Sequence, residues 1–139
     1  ADHAIDYRGG FVEPVKALTG GAGVDIVYDP IGDKVGDESM RCLAWGGRWL
    51  ILGFLGGGPT AIRSNYLLIK GIDAIGVRLG GLNEANPNLA IANMKALTEL
   101  AGQGKLKPRI SHRFPLDQTA QALQAVIDRA VIGKAVVLS

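Results

Sequence analysis

The chain has 139 residues, 47% hydrophobic and 20% charged, with 20 glycines, one cysteine and a formal net charge of +2. That length accommodates one ordinary domain core, and the small, dispersed charge lacks the Lys/Arg cluster of a nucleic-acid-binding surface. Cys42 alone excludes a disulfide framework or a multi-cysteine zinc site, and no apolar run reaches the ~18 residues of a membrane span.

The glycines follow no fixed period; they gather at the ends of apolar runs, where backbone turns tightly or approaches a ligand. The first residues lack the basic and apolar regions of a signal peptide, so the expectation is a soluble, cytoplasmic α/β protein. In chain order, HAIDY at 3–7 reads as a short strand or its tail. FVEPVKALTG reads as a helix with Phe11, Val15 and Leu18 on one face and Pro14 in its first turn. Val24 to Tyr28 is a compact β-branched run that suits a parallel strand covered on both faces. KVGDESMRCLAWGG predicts a helix with Met40, Leu43 and Ala44 inward, ended by Gly46–Gly47.

Trp49 to Leu52 then reads as a second buried strand running into a glycine-rich loop. IRSNYLLIKG suits a short helix or irregular crossover, and IDAIGVRLG a third strand. NPNLAIANMKALTELAGQGKL predicts the clearest helix, with Leu89, Ala92, Ala96, Leu97 and Leu100 as its buried stripe. KPRISHRFPL is extended, DQTAQALQAVIDRAVIG a helix capped by Asp117, and KAVVLS a closing strand. Strands alternating with helices imply a largely parallel sheet with right-handed crossovers.

In such a sheet ligands bind beyond the carboxyl ends of the strands. YDPIG at 28–32 stops a strand abruptly and leaves backbone groups free; as a simple connecting turn it needs no ligand. LGFLGGG at 52–58 sets four glycines around Phe54, so that a flat ring can touch main chain, with Phe54 or Leu55 as an apolar face. Arg78 follows the third strand, where it meets either solvent or an anionic group. GGAG at 20–23 precedes a strand, so it cannot aim helix amides at a pyrophosphate, and G-x-G-x-x-G, G-x-S-x-G and H-E-x-x-H spacings are all missing. His3 and His112 are read as structural or exposed, and Cys42 as a small core residue. No catalytic side chain and no metal ligand is assigned. Hydride transfer asks mainly that a cofactor be held against a substrate, which glycine loops can do.

The opening DHAIDY, FVEPVKALTGGAGVDIVYDPIG, RCLAWGGRWLILGF, LLIKGIDAIGV, GKLKPRISHRFPLDQTAQAL and IGKAVVL occur in order across residues 2–138. Together they resemble the zinc-independent quinone oxidoreductases of the medium-chain dehydrogenase/reductase superfamily. The resemblance implies enzymes that use NADPH to reduce quinones, enones and related activated carbonyl compounds. It implies a partial Rossmann-like parallel sheet over 1–107 and a returning segment of the catalytic domain over 108–139. It places Tyr7 and Arg8 beside the adenosine ribose or its 2′-phosphate, and Ile31 and Gly32 beside the cofactor at the fourth strand. Gly53, Phe54, Leu55 and Gly56, with Val77, Arg78 and Leu79, then border the nicotinamide half. A homodimer joined through the strand at 72–79 is implied as well.

The family's phosphate-binding glycines find no counterpart in this stretch, so weak or absent NADPH binding and little or no reductase activity are expected of the 139 residues alone. Two other readings stay open at this point. One is a non-catalytic nucleotide-binding or self-assembling interaction module; the other is a different medium-chain alcohol or acyl reductase.

Overall fold

β-Branched Val24, Ile26 and Val27 with Tyr28 favour extended backbone. In the computed structural model, which describes all 139 residues, Val24–Asp29 is strand β1. It pairs in parallel with β2, Leu43–Ile51, which pairs in parallel with β3, Asp73–Gly76, in the order β1-β2-β3. Helix α1 spans Val12–Leu18, with Pro14 in its first turn where the missing N–H costs nothing. The crossovers carry α2, Asp33–Cys42, and α3, Ser64–Lys70. The chain divides into two compact units, Ala1–Gly81 and Leu82–Ser139.

Side chains alternate across a strand, so Val27, Trp49 and Ala74, which are register neighbours, share one face of the sheet. There they pack with Met40, Leu43 and Ile72 under α2 and α3 to form the core. Met40, Leu43 and Trp49 are at most 1% exposed, and each such side chain contributes about 1.5–3 kcal/mol by leaving water. The opposite face carries Ile26, Tyr28 and Ile75, all exposed. The strand at 24–28 is therefore covered on one face, not two, because α2 and α3 both pack on the Trp49 side.

Three further expectations are corrected in this unit. Residues 1–6 form no strand: sheet order gives β1 no outer neighbour, and extended sequence without a partner ladder stays irregular. Instead the Asp6 side chain accepts from the Arg8 amide and opens a 3₁₀ turn at Tyr7–Gly9. The helix expected to end at Gly46–Gly47 ends at Cys42, and the strand expected from Trp49 begins at Leu43. Between register pairs Val24↔Leu43 and Ile26↔Arg48 the second strand bulges outward over Ala44–Gly47, with Gly46 at φ 74°. Lys70 Nζ secures the junction by donating to the carbonyls of Met40, Arg41 and Leu43 at the end of α2. In α1 the buried side chain is Val12; Leu18 is exposed.

Helix α4 covers Leu79–Ala85. In the second unit α5, Pro87–Gly102, is capped by Asn86, whose side chain accepts from the Leu89 amide at 3.1 Å. None of its residues is buried, so the expected stripe from Leu89 to Leu100 lies exposed: periodicity made the helix without a neighbour to cover it. Strands β4, Ile110–Pro115, and β5, Lys134–Leu138, form a parallel pair joined by α6, Thr119–Ile127, which packs on both. Asp117 is not the cap of α6. It lies inside a 3₁₀ turn, Leu116–Gln118, and the capping position falls on Gln118, which makes no side-chain cap. No helix is long and apolar enough to cross a membrane.

Candidate functional site

The carboxyl ends of β1, β2 and β3 lie side by side, and a buried carboxylate organises them. Asp29, 3% exposed, ends β1. Its Oδ1 accepts from the amides of Ile31 at 2.8 Å and Gly32 at 3.0 Å, while Oδ2 accepts from Trp49 Nε1 at 3.1 Å. This is the aspartate turn favoured at strand ends, tied here to the core through an indole. Pro30 fixes the backbone direction.

Gly32 sits at φ 71°, and a Cβ there would lie 2.7 Å from the Gly58 carbonyl and 3.0 Å from Phe54 Cδ1. Only glycine combines that conformation with that approach. The loop after β2 closes on this turn through main chain. Leu52 donates to the Asp29 carbonyl at 2.9 Å, Leu55 to Pro30 at 3.1 Å and Gly56 to Ile31 at 2.7 Å; Asp33 in turn donates to Gly58 at 3.1 Å. Val77 N–H, just past β3, donates to the Ile51 carbonyl at 2.8 Å. Between the second and third strand ends lies a cleft of about 310 Å³, walled by Ile51–Phe54 and Gly76–Arg78.

The residues expected here are largely assembled. Ile31, Gly32, Gly53, Phe54, Leu55 and Gly56 form the two interlocked loops, and Gly53, Phe54, Val77 and Arg78 line the cleft itself. Leu79 opens α4 outside the lining and is exposed. Tyr7 and Arg8 lie on the 3₁₀ turn, away from that lining. Arg8 grips Asp6, with Nε 2.9 Å from Oδ1 and a terminal nitrogen 2.7 Å from Oδ2. Those hydrogen bonds pull the Asp6 carboxyl down to about 2. The positive charge expected to face a 2′-phosphate is thus matched by a neighbouring carboxylate. Sequence reasoning overlooked Asp29 as the organiser, although the Asp-Pro-x-Gly run was its signal.

Elsewhere, chemistry-bearing groups are sparse. Cys42 is buried, and burial pushes its thiol pKa up, away from thiolate reactivity. His112 Nδ1 lies 2.8 Å from Ser111 Oγ and its ring stacks on Phe114. No group of three or more His, Cys, Asp or Glu residues converges as a metal site would require.

Comparison with known proteins agrees with this architecture. A family model described as zinc-binding dehydrogenase matches residues 1–137. The chain is 34% identical over 139 residues to a quinone oxidoreductase-like protein 2 homolog of Nematostella vectensis, covering 99% of this chain and 38% of that protein. It is 32% identical over 146 residues to a 2-haloacrylate reductase of a Burkholderia species, covering 98% of this chain and 41% of the relative. Among solved structures, Escherichia coli quinone oxidoreductase complexed with NADPH superimposes with a TM-score of 0.82 at 27% identity, over 97% of this chain and 42% of that one. The chain thus spans about two fifths of the length of these relatives, and over that span it belongs to the zinc-binding dehydrogenase family of the medium-chain dehydrogenase/reductase superfamily.

Proposed function

We propose that this chain contributes the nicotinamide-side half of a cofactor site in an oxidoreductase that passes hydride from NADPH to quinones or related enones. The observation that carries the reading is the cleft at Ile51–Phe54 and Gly76–Arg78, at the strand ends where such sheets bind ligands. Its volume, about 310 Å³, lies at the lower end for ligand pockets and matches one flat ring, not a whole dinucleotide. Gly53 and Gly76 bring bare main chain to the wall, while Ile51, Leu52, Phe54 and Val77 keep it apolar. Bound NADPH supplies the hydride. The chain's own residues hold the ring by contact, exclude water from the apolar wall, and keep the loop in place through the Asp29 turn. The 2-haloacrylate reductase relative favours acceptors in which a carbon–carbon double bond is conjugated to a carbonyl.

The pyrophosphate needs a glycine-rich turn opening a helix, and these residues contain none. On this reading reductase activity needs the regions that the relatives have beyond the matched span, and the 139 residues alone are nearly inactive. β3 pairs with β2 on one side only, which supports a homodimer joined through residues 72–79. Steady-state NADPH consumption with a benzoquinone tests the first point: turnover by this chain alone of ~1–10³ s⁻¹ overturns it. Sedimentation of a sole monomer at high micromolar concentration counts against the dimer.

A further inference from the structure

A second cleft lies at the opposite end of the sheet, and nothing in the proposed cofactor site uses it. Its volume is about 370 Å³, and Lys16, Arg41 and Lys70 line it together with Trp45, Tyr66 and Ile69. β1 runs the six residues Val24–Asp29 between the two ends, a separation of roughly 17 Å at ~3.3 Å per residue.

Three features of this cleft are left unexplained by folding alone. The first is Trp45, which the Ala44–Gly47 bulge carries outward to 82% exposure. Bulges re-aim side chains beside functional sites, and this one is held tight: a Cβ on Gly23 would lie 2.8 Å from the Ala44 amide. Gly71 lies against the indole, where a Cβ would sit 3.5 Å from Trp45 Cε2, and most of the ring is open to solvent. The second is charge. The lining holds three cations and no acid. Lys70 is accounted for by the α2 carbonyls, and Lys16 reaches Glu13 at 3.4 Å. The Arg41 side chain makes no hydrogen bond or ion pair; only its carbonyl is engaged, by Lys70. The third is the crowding of its cations: burial first, then the charge of Lys16, lowers the pKa of the Lys70 ammonium.

We propose that this cleft binds a small anion with a flat aromatic body, its carboxylate or phosphate on Arg41 and its ring on Trp45. A guanidinium takes a carboxylate or phosphate through two parallel N–H donors, and an exposed indole offers an aromatic ring an offset-stacked face. Lys16 and Lys70 add field without needing to touch the ligand. Aryl carboxylates and mononucleotides share this chemistry. The site lies away from the cofactor cleft, and the proposal does not depend on the function proposed for that cleft.

The test is a titration of the full chain, labelled with ¹⁵N, with 2-naphthoate, and in separate arms AMP, inorganic phosphate and neutral 2-naphthol. The two indole N–H signals separate the sites: Trp45 reports, while Trp49, bonded to Asp29, is the internal reference. Trp45→Phe assigns them. The expected result is a saturable shift of the Trp45 signal with a dissociation constant of about 1 mM or lower. Arg41→Gln weakens it about tenfold or more, Lys16→Gln less, with the Trp49 signal unmoved as evidence of intact folding. Tighter binding of AMP than of 2-naphthoate identifies a nucleotide as the source, and the reverse order an aryl acid. Absence of a saturable Trp45 shift with both anions overturns the proposal. So does an equal shift with 2-naphthol, or indifference to both substitutions.

Discussion

Asp29 is the position at which a single substitution tests the whole site. Its three accepted hydrogen bonds, from Ile31, Gly32 and Trp49, are made in a buried setting. Asp29→Ala strands three donors, each costing about 1–3 kcal/mol when unsatisfied. Since the two turn amides regain some water, a total of about 3–5 kcal/mol is expected. A unit the size of Ala1–Gly81 is stable by about 4–12 kcal/mol, so this loss is a large share of the total. Asp29→Asn keeps one oxygen for the turn but sets an amide N–H₂ against the Trp49 N–H, costing about 1–2 kcal/mol. Trp49→Phe removes that opposing donor, so the double variant should be less destabilised than the sum of the singles by about 1 kcal/mol. Urea unfolding followed by tryptophan fluorescence reports this unit, because Trp45 and Trp49 both lie in it; far-UV circular dichroism serves the Trp49→Phe variants. A cost below about 1 kcal/mol for Asp29→Ala, or equal costs for Ala and Asn with no coupling to Trp49, refutes the reasoning.

Gly32→Ala forces a Cβ against the Gly58 carbonyl at positive φ, and should lower stability by about 1–3 kcal/mol, read as a shifted urea midpoint. Lys70→Met strips the α2 carbonyls of their ammonium donor and should cost about 1–2 kcal/mol; an unchanged thermal midpoint would show that water serves as well. Because Arg8 depresses the Asp6 pKa, the interaction is present above pH 3.8 and is lost as pH falls through about 2. A carboxyl ¹³C titration should therefore place the Asp6 midpoint near 2, and Arg8→Gln should return it toward 3.8.

What the sequence revealed and what it hid divide along local and non-local causes. The helices at 12–18 and 64–70 and the strands at 73–76 and 134–138 follow from short-range pattern. The loops at 30–32 and 53–58 were legible because Asp-Pro-x-Gly and a glycine cluster mark strand ends by chemistry alone. The start of β2 was hidden: Leu-Ala-Trp-Gly-Gly reads as a helix ending in glycine, and only the close approach of Gly23 to Ala44 makes it a bulge. HAIDY has strand propensity but no partner ladder, and propensity is weak without one. The α5 stripe shows that period identifies the apolar face of a helix and says nothing of what covers it. The Asp29–Trp49 bond spans twenty residues, beyond the reach of any local motif.

The Asp29 tie gives the two interlocked loops beside the cleft unequal stiffness. Amides of Ile31 and Gly32 donate to an acceptor that is itself anchored on a core indole, so the turn opens only when that part of the core opens. Gly57, at φ 118° with nothing within 4 Å of its Cβ position, lies on the other loop, where its amide donates only to Phe54 of the same loop. Local opening is therefore expected first at Gly57, while the turn beneath it holds still.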